Sequence, residues 1–192
     1  MLFLHFHNYS TNYSLKLLLM EANKIYKNVM ILGIAGAVGA LFNILIGWIG
    51  SICDLAVVAG FMGMYARLND LIEKSNAEDA AALKKLQLGA LLYIVGLGVR
   101  MIPVIGWIAG PIVLIVAFVF MLLGYMALKK SESFPYKAAM GLPFIAAILG
   151  VVAAVFKIIP VVGTTIGNIL LIATFVLLLL GWKKTTAAPV TE

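Results

Sequence analysis

What this sequence lacks first is charge. Only 11% of its 192 residues are Asp, Glu, Lys or Arg, whereas a soluble domain carries roughly a quarter. That deficit excludes an ordinary solvated surface and places the chain among membrane proteins. Cysteine is nearly absent as well. Cys53 stands alone, so an internal disulfide and a Cys-based metal site are both excluded, and in its apolar run it reads as a small hydrophobe. His5 and His7 are the only histidines; a disordered tail accounts for them better than a weak metal site does. There is no Gly-rich phosphate loop, no His-Glu-x-x-His and no Ser nucleophile elbow. Thr164 and Thr165 have no base nearby in sequence. No catalytic residue, metal or cofactor is therefore expected, and the chain is not read as an enzyme.

What is present is apolar sequence in long runs. Hydrophobic residues make up 64% of the chain and the mean hydropathy is +1.10. Runs at 29–49, 51–67, 87–105, 108–128, 138–159 and 164–182 each suit a bilayer core about 30 Å thick. They do not alternate every second residue as barrel strands would, and backbone in lipid must satisfy its own hydrogen bonds. The predicted fold class is all-α: a polytopic membrane protein of six transmembrane helices.

The runs are punctuated three times by one pattern. Ile46-Gly47-Trp48-Ile49-Gly50, Ile105-Gly106-Trp107-Ile108-Ala109-Gly110 and Val162-Gly163-Thr164-Thr165-Ile166-Gly167 each lie between two apolar runs, and an aromatic follows the last Gly by 15 residues, at Tyr65, Tyr125 and Trp182. The expected organisation is three helical hairpins whose turns carry Gly47, Gly50, Gly106, Gly110, Gly163 and Gly167. The tail is 1–28, with hairpins at 29–67, 87–128 and 138–184. Charged linkers at 68–86 and 129–137 separate them, and 185–192 is a C-terminal tail. Met20-Glu21-Ala22 reads as a natural start, which would make residues 1–19 an over-extended start or a mobile tail; the Asn8 and Asn12 sequons are taken as chance. Ser75 and Glu78 have capping-box spacing, so an interfacial or protruding helix that feeds into the third span is expected within 68–86.

Net charge is +6. In this setting it points to membrane orientation and anionic lipid, not to nucleic acid. Of the 14 Lys and Arg, all but Arg100 and Lys157 flank the termini and the long linkers. The positive-inside rule then puts both termini in the cytoplasm and the three Gly turns outside. Tyr65, Tyr125 and Trp182 would sit at the cytoplasmic interface, with Trp48 and Trp107 at the outer one.

Arg100-Met101-Ile102-Pro103-Val104-Ile105-Gly106 aligns without a gap on Lys157-Ile158-Ile159-Pro160-Val161-Val162-Gly163, at a period of 57. Copy one has Ala40 and Asn43 there. The two cations are expected roughly 6–10 Å inside the outer boundary by helical rise, and charge at that depth calls for compensation. Asp54 is the only acid on that side. Asp54, Arg100 and Lys157 thus form a candidate intramembrane polar cluster: an ion or anion site, or a gate closed by an ion pair. The plainer alternative has both cations snorkelling to headgroups and Asp54 capping the second helix. The local excess of one positive charge favours an anion.

Gly33, Gly36 and Gly39 give the first span a small-residue face suited to close helix packing, within the bundle or against a second copy or a membrane partner. The three short hairpins, with the Pro103 and Pro160 neighbourhoods, resemble bacterial short-repeat membrane proteins of the acid-resistance type over residues 29–184. That resemblance implies a small cytoplasmic-membrane protein linked to envelope stress, and no site residue carries over. Three functions stay open: a structural or stress-related membrane protein, a small channel or transporter gated at Asp54, Arg100 and Lys157, and an accessory subunit of a membrane complex.

Overall fold

The computed structural model describes the fold of residues 2–160 and 162–186, and the side chains of 20–46, 50, 52–160 and 162–186. His5, His7, Asn8, Asn12 and the ring of Trp48 lie outside the described side chains, as do residues 187–192. Six α-helices follow one another: α1 (Leu2–Leu45), α2 (Gly47–Glu73), α3 (Ala77–Arg100), α4 (Gly106–Lys130), α5 (Gly141–Phe156) and α6 (Val162–Lys184). A short 3-10 turn, Lys137–Met140, leads into α5. They supply six candidate spans of 20 to 26 residues, the fifth made of the 3-10 turn and α5 together, about 30–39 Å at 1.5 Å per residue. All six are long and apolar enough to cross a membrane, which makes this a multi-pass membrane architecture.

The reason for burial is visible in the spacing. Buried residues recur every three or four positions, as at Ala22, Ile25, Val29 and Leu32 on α1, or Leu114, Ala117, Phe118, Met121, Tyr125 and Leu128 on α4. That is the inner stripe of a packed helix. The opposite faces are just as apolar: Ile31, Ile34, Leu41, Ile112, Val116 and Ile169 stand exposed. An apolar inside and an apolar outside is the pattern of a bundle in lipid. Leucines, small residues and most of the described aromatics share the interior, while further aliphatic side chains cover the rim.

Each helix packs on its sequence neighbours, and α6 returns to pack on α1. Among the described residues no opposite pair of helices meets through its backbone, so the six form a closed ring around an axis that side chains fill. Glycines set the spacing. Gly36 lies against the Phe175 ring, where an added Cβ would come within 2.5 Å, and Gly33 faces Leu179 and the Phe175 carbonyl on the same helix. Gly39 faces Cys53 on α2. The small face of α1 is therefore spent on α6 and α2 of its own chain, and Gly36 is not open to an outside partner.

Several boundaries differ from the sequence reading. Residues 2–28 are helical and continuous with α1, and within them the buried residues Glu21, Ala22 and Ile25 bring the stretch from residue 21 onward into the bundle. Within the charged segment 68–86, α2 runs on to Glu73 and α3 starts at Ala77 and continues into the third span, so the helix expected there is the first part of α3. The cap shifts by one residue: the Asn76 side chain accepts from the Asp79 backbone N–H at 2.8 Å, while the Ser75 hydroxyl donates to the Leu71 carbonyl. Asn and Ser cap about equally well; Asn76 has the advantage of an amide that also donates to Ser133 in the connection after α4, at 2.7 Å.

The turns are tighter than expected too. Ile46 alone separates α1 from α2. Gly47, Gly106 and Gly163 lie in the first helical turns, and Gly50, Gly110 and Gly167 lie further inside the helices. Pro111 is likewise helical. Tyr125 and Trp182 do not face headgroups. Both are fully buried, and the Trp182 indole donates to the Tyr125 hydroxyl at 3.0 Å. Each polar tip satisfies the other, so neither ring needs the wet interface. Tyr65 remains partly exposed, and Trp107 is exposed at the other end.

Candidate functional site

The axis is lined by residues 57 apart in sequence. Phe61, Phe118 and Phe175 form one such series, and the positions they meet form another: Tyr93, Gly150 and Gly36. Phe61 stacks on Tyr93 with centroids 4.4 Å apart, the Phe118 ring fills the space over Gly150 and the Phe175 ring that over Gly36. Tyr93 is the exception in its series, since it brings a ring where the other two bring none. That ring meets Phe118 edge-on at 5.5 Å and Phe175 at 6.2 Å. The four rings together close the centre of the bundle.

Directly beside this aromatic closure is a small polar cavity of about 10 Å³, lined by Asn43, Asp54, Tyr93, Arg100, Lys157 and Asn168 among others. It is the size of one water. A vestibule of about 290 Å³ lies next to it, lined by residues 100–104, Gly106, Trp107, Pro111, Lys157 and Thr164. Arg100 and Lys157 belong to both walls. They form the boundary between a roomy mouth and a closed interior.

Each cation ends a helix. Arg100 is the last residue of α3 and Lys157 is the C-cap of α5, where the negative end of the helix dipole favours a positive charge. Two glycines make room for their stems: an added Cβ at Gly110 would run into the Arg100 side chain, and one at Gly167 would come within 2.7 Å of the Lys157 Cγ. Gly50 holds Asn43 in the same way. Asn43, Arg100 and Lys157 are again 57 apart, as are Asp54, Pro111 and Asn168. The second glycines of the three turn segments thus seat a polar side chain on the axis. The bend of the chain lies elsewhere.

The structure brings Asp54, Arg100 and Lys157 around one cavity, and Asp54 lies in the field of both cations. It does not pair them. The ion pairs among the described residues are Lys24–Glu21, Lys74–Glu21 and Arg67–Asp70, all toward the other end of the bundle. A gate locked by a direct ion pair is therefore not what this geometry contains. Asp54 is no helix cap either: α2 starts at Gly47 after Ile46, which makes no side-chain cap, and Asp54 sits two turns further in. Lys157 does not snorkel outward, since only 6% of its surface is exposed. The cations lie at the C-terminal ends of their helices, because α3 stops at Arg100 and α5 at Phe156.

Two members of the site escaped the sequence reading. Asn168 is 1% exposed and its carbonyl oxygen has no hydrogen-bond partner, although it lines the cavity. Tyr93 forms part of both the cavity wall and the aromatic closure. Extending the period of 57 from the Arg100 and Lys157 segments to the second helix of each pair would have aligned Asn168 with Asp54. No comparable signal marked Tyr93, which departs from its own series. The two ends of the ring differ in chemistry. At the far end Glu21 is ion-paired with both Lys24 and Lys74 at 2.9 Å, whereas Asp79 accepts from the neutral donors Asn76 and Ser133. No metal-binding group of His, Cys, Asp and Glu occurs among the described residues. Comparison with family models, with curated proteins and with solved structures returns no match.

Proposed function

We propose that this protein is a small channel or transporter of the cell membrane, with an ion path on the axis of the six-helix ring and a gate made by Arg100, Lys157 and the four aromatic rings. The observation that carries this reading is the placement of Lys157: a buried cation without an ion pair among the described residues, on the wall between a vestibule and a polar cavity. Ionisable groups at membrane depth are costly and mark ion or substrate paths. The wall has two cations and one acid, which suits an anion. The closed rings correspond to a state open to one side only.

The same reading takes the chain as three repeated hairpins around a pseudo-threefold axis. Support comes from the series of residues 57 apart and from the cyclic Phe contacts. It places both termini in the cytoplasm and the vestibule outside, on the positive-inside rule. An enzymatic role has no nucleophile or acid–base pair to support it.

Reconstituted into liposomes, the wild type should pass small anions, and Arg100→Ala and Lys157→Ala should each reduce that flux by at least about tenfold, the effect of ~1.4 kcal/mol at the site. Flux that ignores both substitutions would overturn the reading. A structural or envelope-stress role is the second reading, favoured by the aromatic closure and by the resemblance to short-repeat acid-resistance proteins. Absence of any ion flux from well-folded protein would favour it.

A further inference from the structure

We infer that the vestibule binds a phosphate-type oxyanion, held between Arg100 and Lys157 in competition with Asp54. The inference deepens the proposed anion path and rests on it for the identity of the site, though not for movement through it.

The chemistry of the wall is one-sided. Arg100 contributes a guanidinium fork, Lys157 an ammonium and Thr164 a hydroxyl, and no acid lines the vestibule. A guanidinium matches two oxygens of one oxyanion, which a halide cannot offer. Gly106 and Trp107 begin α4 and Thr164 belongs to the first turn of α6. Two helix N-termini bring their positive ends to a mouth that also receives the negative C-terminal ends of α3 and α5, so the positive charge there comes from Arg100 and Lys157 themselves. The volume of about 290 Å³ is far larger than the one-water cavity of about 10 Å³ behind it. A halide would rattle there with its hydration intact, whereas a tetrahedral oxyanion reaches several donors together.

Behind the cations the arrangement changes sign. Asp54 lies on the inner cavity with the same two side chains and in their field, but without a direct ion pair. Lys157 is buried without such a pair, and Asn168, which lines the same cavity, has a buried carbonyl oxygen that meets no donor. An ammonium drawn inward would find Asp54 and the Asn168 oxygen; drawn outward, it would find the oxyanion. The unpaired oxygen is an independent mark of that inward position. The vestibule rim is apolar, with Ile102, Val104, Ile105 and Trp107 exposed, so the oxyanion has two possible sources: free phosphate or the headgroup of a phospholipid.

The test uses the full chain purified in detergent. Inorganic phosphate is titrated against chloride at constant ionic strength, with thermal unfolding and Trp107 fluorescence as readouts, and co-purifying phospholipid is counted by native mass spectrometry. A saturable response to phosphate that is lost in Arg100→Gln and Lys157→Met, and is severalfold tighter in Asp54→Asn, supports a free oxyanion. Phospholipid retained by the wild type and lost from both charge variants supports a headgroup. Thr164→Ala keeps both charges and should weaken either signal, which covers the case of a charge variant that fails to fold. A chloride response equal to that of phosphate, an unchanged response in the charge variants, or neither phosphate response nor retained lipid overturns the inference. Protein that binds phosphate but passes no anion in liposomes would overturn the transport reading and leave this site standing.

Discussion

Lys157 shows how a single residue can be held where its chemistry is unfavourable. Its ammonium is excluded from water by the ring, and the compensation comes from the C-terminal end of α5 and from the field of Asp54. Gly167 supplies the space for the stem. The same rule governs Gly36, where the Phe175 ring takes the volume a side chain would need. Gly36→Val should lower the thermal midpoint in detergent by the equivalent of about 1–3 kcal/mol of overpacking; an unchanged midpoint would show that α1 and α6 are not in contact there. Val104 is the opposite case. Its φ of 68° lies in the left-handed region, which a β-branched residue avoids, and Ile105 N–H closes the turn onto the Pro103 carbonyl at 2.8 Å. Val104→Gly should stabilise the protein by about 1 kcal/mol, read as a higher thermal midpoint.

At the scale of elements, the connections determine which parts of the charged sequence become structure. Lys74, Ser75 and Asn76 are all that separates α2 from α3, so the acidic and basic residues around them are helix ends. Asn76 does two jobs there, capping α3 and donating to Ser133 in the next connection. Ser133 in turn donates to Asp79 at 2.9 Å, and Phe134 N–H donates to the Ser131 hydroxyl. Asn76→Ala should cost about 1 kcal/mol for the cap alone. Because Asp79 and Ser133 share its bonds, a double-mutant cycle of Asn76→Ala with Ser133→Ala should show a coupling energy above ~0.5 kcal/mol; additive losses would mean that the two connections are independent.

For the whole molecule, ring closure is the decisive feature. Packing α6 on α1 leaves no helix without two neighbours, and it forces the inward stripes of all six toward one axis. Polar groups that would each be solitary on an isolated span, such as Asn43, Asp54, Arg100, Lys157 and Asn168, become a cluster as a result. Sidedness is the property of the whole chain that the proposed function depends on. A reporter active only outside the cytoplasm should work when inserted after Val104 and should fail after Asn76 or at the C-terminus; the reverse pattern would turn the vestibule toward the cytoplasm.

Much of this was legible in the residues themselves. Scarce charge and six apolar runs determine six membrane-crossing helices, because lipid leaves the backbone no other way to satisfy its polar groups. Spacing in the sequence also singled out Arg100 and Lys157, since a cation in an apolar run must either snorkel to headgroups or be compensated within the bundle. Burial was not legible there. Tyr125 and Trp182 look like interface aromatics until the structure pairs them, and Asn168 looks like one polar residue in a lipid-facing run until α6 turns it onto the axis. In a membrane both faces of a helix are apolar, so hydropathy cannot say which face is inside. Only the close approach allowed by Gly36, Gly110 and Gly167 chooses that face, and with it decides that the polar residues of different helices meet.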